Sequence, residues 1–285
     1  MPRFSPTAAE RQRERFAAGN LRSAAAALRN DGFVIIEDVV DPARLDALRA
    51  GMEADLARIL QQPRLPHNFV WGNLQQDPPP FADYIFRDVV ANPFVCQVTR
   101  QVLGEGAFNK SMTGNTNLPD SQLQPVHVDD GQLWPNLEVA HPPARLVVNV
   151  PLVDTSAENG AIELWPATHL DTRQVIGRNI RVPEEAVEAR RAISPPVRPP
   201  TRKGAVLIRD MRLWHRGTPN ASDAPRFMIA MIHTVAWYDR TCRIDLDERC
   251  APVFAGCPID NAIPLVDRPG DHLVRLRAYD YDGPN

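Results

Sequence analysis

The segment Gln124-Pro125-Val126-His127-Val128-Asp129 sets an imidazole and a carboxylate two positions apart. On an extended strand successive side chains point to opposite faces, so His127 and Asp129 project to the same side and can grip one metal ion. A second imidazole is available 88 positions downstream, at His215 in Leu213-Trp214-His215-Arg216-Gly217. Two imidazoles and one carboxylate on one face of a metal, with the opposite face open, form the facial triad of non-haem Fe(II) oxygenases, whose open positions take O2 and a co-substrate. Arg226 follows His215 by eleven positions and opens the apolar run Phe227-Met228-Ile229-Ala230-Met231-Ile232. A guanidinium there requires an anionic partner. It is permanently charged and pairs two-pronged with a carboxylate, which suits the far end of a 2-oxo acid. A His-x-Asp pair alone is a weak signal. In register with His215 and Arg226 it reads as a site.

These residues need a sheet to hold them. Short strands separated by turn residues are expected at Ser111 to Leu118, Gln122 to Asp129, Ala144 to Leu152, Ala161 to Trp165, Ala205 to Arg209 and Arg226 to Trp237, a spacing that predicts an antiparallel jelly roll. The turn-rich stretch Thr218 to Pro225 predicts a hairpin setting His215 and Arg226 on adjacent strands. Asn149 interrupts the apolar run Leu146 to Val150, and a buried amide must find partners; either the co-substrate, the substrate or a structural bond satisfies it. Ser111, Thr113, Asn115 and Asn117 share one face by period 2, as pocket or edge positions. Trp134 reads as a substrate-site or core aromatic. His169, at the end of a turn, reads as structural, and His67, His141, His233 and His272 have no partner at ligand spacing.

Helices are expected to flank the sheet. Thr7 and Glu10 fit a capping box opening a helical stretch toward Asn30. Asp41-Pro42 supplies an N-cap and first-turn proline for a helix whose stripe is Leu45, Leu48, Met52, Leu56 and Ile59. A further helix is expected around Pro93 to Leu103. Two irregular stretches stand out. Pro63 to Asp88, rich in Pro, Gln and aromatics, suits a lid or a packed surface loop. The insertion Asp171 to Lys203, with a helix-like Pro183 to Ala192 and a proline cluster, suits a second lid or a homodimer contact.

The 285 residues, 44% hydrophobic, predict a single domain over 1–285: an N-terminal helical region spanning residues 1–62, a jelly-roll core about 105–238 and a C-terminal extension 239–285 that covers the pocket or forms a subunit interface. Proline, at 28 residues, is roughly twice its usual share of about 5%, which favours a loop-rich β protein. The 32 basic and 35 acidic residues nearly balance, with no basic run to neutralise a phosphate backbone, so nucleic acid is not an expected partner. Neither a signal peptide nor a long apolar span is apparent, and a soluble cytoplasmic protein without membrane association is expected. Cys96, Cys242, Cys250 and Cys257 are too few and too spread for a disulfide framework, and their spacing is atypical for zinc; free thiols are expected.

From about Leu28 to Trp237 the chain resembles the phytanoyl-CoA dioxygenase family of Fe(II)/2-oxoglutarate oxygenases. The resemblance is carried by Leu28-Arg29-Asn30-Asp31-Gly32-Phe33-Val34-Ile35, by His127-Val128-Asp129, by Glu158-Asn159-Gly160-Ala161-Ile162-Glu163-Leu164-Trp165-Pro166-Ala167-Thr168-His169, and by His215-Arg216-Gly217 and Arg226, in the family's order. It implies a mainly β fold with flanking helices, the double-stranded β-helix or cupin-like jelly roll. It further implies Fe(II) held by His127, Asp129 and His215, with 2-oxoglutarate and O2 as co-substrates and Arg226 on the distal carboxylate of 2-oxoglutarate. Gln124 sits where related small-molecule oxygenases place a Gln that hydrogen-bonds 2-oxoglutarate. Some relatives carry a Ser two positions after the distal His; Gly217 stands there, so that hydroxyl contact is either lost or supplied by Thr218. Asp129 disfavours halogenation, which replaces that carboxylate with a small residue. The implied reaction is oxidation, most simply hydroxylation, of a small organic molecule such as a biosynthetic intermediate. The alternatives are a cupin-like metalloenzyme indifferent to 2-oxoglutarate and a non-catalytic jelly-roll binding protein.

Overall fold

The computed structural model describes residues 1–284. Its main sheet contains β1 (Arg3–Phe4), β2 (Phe33–Ile36), β3 (His67–Asn68), β4 (Val70–Gln75), β5 (Phe108–Asn117) and β6 (Arg145–Pro151). After the short β7 (Glu163–Leu164), which lies elsewhere, come β8 (Val206–Asp210), the similarly separate β9 (His215–Arg216), and β10 (Arg226–Thr234). The strand order is β1-β2-β8-β6-β10-β5-β4-β3, antiparallel except for β1 on β2, and Asp260–Asn261 of the C-terminal extension pairs in parallel with β5.

Period-2 alternation divides this sheet cleanly. Val206, Ile208, Leu146, Val148, Phe227 and Ile229 are buried in one large cluster with Leu28, Leu45, Leu48, Met52, Ile59 and Val98 from the flanking helices Ala18–Asp31, Pro42–Ile59 and Pro93–Leu103. The expected stripe on Pro42–Ile59 is therefore its sheet-facing side, and Asp41 caps it, its carboxylate accepting from Ala43 N at 2.9 Å. The capping box at Thr7 and Glu10 forms, but its helix, Ala8–Gln12, stops after five residues and a second begins at Ala18. Glu10 turns back to accept from Ala17 N, so the chain breaks where one continuous helical stretch was expected. The second helix ends at Gly32, whose φ of 82° is the left-handed C-cap conformation that favours glycine.

The second sheet is made of pairings one or two residues long: Leu164 bridges Val197 and pairs with His215 beside Glu163 with Arg216, His215 pairs with His127, and His127 bridges Arg181. The Gln122 to Asp129 stretch is thus extended chain held by isolated bridges, not a full strand. Phe33, Ile35, Leu164, Leu207 and Leu213 fill one end of the space between the sheets. Behind the second sheet, Val126, Val128, Trp165 and Trp214 pack against Val187 of the helix Glu184–Ile193. The insertion expected as a second lid is accordingly backing for this sheet, and none of it lines the cavity between the sheets.

Two further expectations are corrected. The residues after His215 do not form a hairpin: β9 lies in the second sheet and β10 lies between β6 and β5 in the first, so the chain crosses the gap between sheets. Asn220 fixes that crossing by donating to Asn117 O and Ala224 O, which uses the turn residues to hold the crossover and leaves no β-ladder between the two strands. The aromatic stretch 63–88 contributes β3 and β4 to the main sheet, and its residues at 68, 73, 75 and 77 line the cavity. No described helix is long and apolar enough to cross a membrane.

Candidate metal centre

His127 and Asp129 alternate with Val126 and Val128, and His215 alternates with Trp214. The valines and the tryptophan go to the outer packing, which turns both imidazoles and the carboxylate toward the interior. Mutual backbone bonds, His127 N to His215 O at 3.0 Å and His215 N to His127 O at 2.9 Å, clamp the two histidines side by side. One potential ligand atom from each of His127, Asp129 and His215 lies within 4.8 Å of the others, a grouping of the size that holds one ion.

The local sequence also sets the ring orientations. Nδ1 of His127 lies 2.9 Å from Pro125 O, and Nδ1 of His215 lies 2.9 Å from Leu213 O. A carbonyl only accepts, so each Nδ1 carries a proton and Nε2 is the nitrogen of each ring left for a metal. Burial pushes the His127 pKa down to about 3, with the neighbouring His215 adding to the fall, so the ring is a neutral ligand. Burial alone would raise the Asp129 carboxyl, but the Arg209 guanidinium 2.6 Å away prevails and holds it well below the usual carboxylate range. Asp129 Oδ1 lies 3.4 Å from His215 Nε2, while Oδ2 is the oxygen that meets Arg209.

A cavity of about 490 Å³ opens beside these three residues, lined from the main sheet by Thr113, Asn115, Asn149, Arg209, Arg226 and Met228 among others. The inner faces coincide because the registers align: Met228 opposes Asn115, and Ala230 opposes Thr113 on one side and Asn149 on the other. Arg226 is 3% exposed, donates from Nη1 to Asn115 Oδ1 at 3.1 Å, and leaves its buried Nε without a partner. Among the described residues no carboxylate pairs with it, and burial pushes its pKa down to about 10. A buried cation in this condition is a ready receptor for an anionic ligand.

The remaining expected residues are placed as follows. Gln124 lines the cavity, but its amide is engaged at both ends, accepting from Gly217 N at 2.7 Å and donating to Asn68 O at 3.0 Å. Asn149 accepts from Arg209 Nε at 3.1 Å. Thr218 is turned out of the cavity: its hydroxyl donates to Ala161 O at 2.8 Å, so it does not stand in for the missing Ser. Thr113 and Asn115 line the cavity, whereas Asn117 donates to Thr218 O. Trp134 is 51% exposed with its edge against His141, neither core nor cavity. His169 Nε2 faces Arg29 O, away from the site.

Arg209 at the site was not foreseen, whereas Asn115 and Phe69 were foreseen only as members of a shared strand face and of the aromatic stretch 63–88. Arg209 reads in sequence as the polar end of an apolar strand; its inward phase, shared with Leu207, was the available signal. Asn115 was one of four residues on a common face. Phe69, whose ring lies 4.5 Å from that of His127, carries no further local signal, and it is held by Tyr279 of the C-terminal extension, whose ring meets it edge-on at 5.1 Å. The extension thus reaches the site from beside β3.

The sequence model of the family described as Phytanoyl-CoA dioxygenase (PhyH) matches residues 28–228. Solved structures share the fold at low identity. AviO1 from Streptomyces viridochromogenes Tue57 is 22% identical over 79% of this chain and 99% of its own, with a TM-score of 0.57. SnoK, a non-heme alpha-ketoglutarate-dependent carbocyclase from nogalamycin biosynthesis, is 21% identical over 81% of this chain and 87% of its own, with a TM-score of 0.60. HygX from Streptomyces hygroscopicus, solved with nickel and 2-oxoglutarate bound, is 16% identical over 77% of this chain and 88% of its own, with a TM-score of 0.55.

Proposed function

Because the chain belongs to the phytanoyl-CoA dioxygenase family, and so is an Fe(II)/2-oxoglutarate-dependent oxygenase, we propose that His127, Asp129 and His215 hold its iron, that Arg226 anchors its 2-oxoglutarate, and that it hydroxylates a small organic molecule. The observation that carries this reading is the convergence of two imidazoles and one carboxylate beside a buried arginine that lacks a carboxylate. The donor set fits the ion: three protein ligands on one side and an open cavity on the other. When bound, Fe(II) supplies activation of O2 coupled to decarboxylation of 2-oxoglutarate to succinate and CO2.

The chain's own residues supply placement. The Nδ1 bonds to Pro125 and Leu213 fix both imidazoles, and Asn115 steadies Arg226 for a two-pronged grip on the distal carboxylate. Gln124 acts through Gly217, locking the chain just after His215. The apolar wall of Met228, Ala230 and Ile232 limits water around the reacting carbon.

Cavity volume and lining support a small substrate with polar groups. About 490 Å³ accommodates 2-oxoglutarate and a portion of a second molecule, and Asn68, Asn73, Gln75, Asp77 and Arg243 offer hydrogen bonds around it. A biosynthetic intermediate fits, as with SnoK of nogalamycin biosynthesis and the HygX structure that holds hygromycin B. Anaerobic titration of the metal-free protein with Fe(II) and 2-oxoglutarate tests the site. A weak visible charge-transfer band that needs both additions, and is lost in Asp129→Ala, is expected. Folded protein that gives no such band would refute the assignment of these residues.

A further inference from the structure

Arg209 has no assigned role, yet it is the cation nearest the proposed metal ligands. It sits at the inward phase of β8, opposite Val147 of β6 and Phe33 of β2, with its side chain 5% exposed. Nη2 lies 2.6 Å from Asp129 Oδ2, and Nε donates to Asn149 Oδ1 at 3.1 Å. Its third nitrogen, Nη1, is buried without a partner. The two bonds, one to a side chain of the second sheet and one within the main sheet, fix the guanidinium plane across the gap between them.

The consequence concerns how many oxygens Asp129 can offer. A carboxylate binds a metal through one oxygen or chelates through two, and chelation would take a coordination position that the co-substrates need. Asp129 Oδ1 is on the side of His215 Nε2, whereas Oδ2 is tied to Arg209. We infer that Arg209 is a positioning residue that holds Oδ2 of Asp129 away from the metal, so that Asp129 binds through Oδ1 alone and the open face stays open. Asn149 aims the guanidinium and so acts one step further out. This rests on the metal site proposed above.

The test uses Co(II) alone as probe, read by its visible ligand-field bands and by its dissociation constant, on the full-length metal-free protein. Arg209→Gln is expected to weaken Co(II) binding about 10- to 100-fold, the usual effect of losing a residue that orients a metal ligand. It is also expected to lower the band intensity, because an Asp129 free to chelate raises the coordination number. Arg209→Lys, which keeps the charge but not the fork, should recover some of the affinity and little of the spectrum. Asn149→Ala, which leaves the guanidinium in place, should shift both in the same direction by a smaller factor and covers the case in which Arg209→Gln fails to fold. An unchanged spectrum and dissociation constant in folded Arg209→Gln, or in Arg209→Lys and Asn149→Ala where Arg209→Gln does not fold, would overturn the inference while leaving the metal site standing. Wild-type protein without Co(II) bands would instead sink the metal site, and the inference with it.

Discussion

Replacing Arg226 with Met is expected to stabilise the metal-free protein and to cripple its binding of 2-oxoglutarate. Arg226 is buried with one side-chain hydrogen bond, to Asn115, and burial pulls its pKa down to about 10. At about 1.4 kcal/mol per pH unit, that fall is a folding penalty of about 3 kcal/mol. A cation whose pKa falls on folding holds its proton less tightly in the native state. The penalty is therefore fully present below pH 10 and fades only as the pH rises above it. Loss of the Asn115 bond returns about 1 kcal/mol, leaving a net gain of about 2 kcal/mol at pH 7 and a rise in Tm of roughly 4 °C. The ligand should respond oppositely. Removing one partner of a buried charge pair costs about 2–5 kcal/mol, which is roughly a 30- to 4000-fold weaker dissociation constant for 2-oxoglutarate. Urea denaturation of metal-free protein and anaerobic titration of the Fe(II) form read the two effects separately. A less stable metal-free variant, or a 2-oxoglutarate affinity within threefold of wild type, would refute the reasoning.

His233, buried against Thr99 with its pKa pushed down to about 3 by desolvation, stays neutral on folding where the unfolded chain protonates near 6.5. The unfolded state then binds more protons, so stability falls as the pH drops from about 6.5 toward 3; His233→Leu should flatten that slope by about 1.4 kcal/mol per pH unit, and equal slopes in urea titrations at pH 6 and 4 would contradict it. Gly160 has a φ of 82°, and a Cβ there would meet Asn117 Nδ2 at 2.4 Å and Thr218 O at 2.8 Å. Gly160→Ala should cost about 2 kcal/mol or more and disturb the crossover that links His215 to Arg226, seen as a lower Tm together with weaker 2-oxoglutarate binding. Truncation after Arg277 removes the bonds from Phe69 N to Tyr279 O and from Tyr279 N to His67 O, and the Arg181 pair with Asp280. It should cost about 2 kcal/mol and lower kcat/KM several-fold while Co(II) still binds, whereas unchanged kinetics would mean that Tyr279 does not support the site through Phe69.

Strands β5, β6, β8 and β10 of the main sheet were legible because they run for five or more residues with period 2 and pack one face on helices whose stripes and caps are equally local. Leu146-Val147-Val148-Asn149-Val150 and Arg226 to Ile232 read as strands for that reason, and Asn149, Thr113 and Asn115 could be assigned an inward phase. The second sheet has no such signature. Its members meet in one or two residue pairs, and its outer packing comes from Val182 and from Val187, the one fully buried residue of a charged helix, so nothing local distinguishes the insertion as backing and not a lid. The same brevity defeated the expected hairpin between His215 and Arg226, because β9 is too short to announce which sheet it joins. Yet His127 and His215 lie on this second sheet, and Asp129 follows His127 two residues beyond its bridge. They were found through residue type, order and the two-residue spacing of His127 and Asp129, which hold regardless of strand length. Arg209 shows the converse case: it lies on a strand whose periodicity was plain, but a guanidinium ending an apolar run resembles a strand's solvated end unless the partner is known, and Asp129 arrives from the opposite sheet. What the sequence withheld was therefore long-range pairing across the cavity, and it is that pairing which sets the direction of each ligand atom.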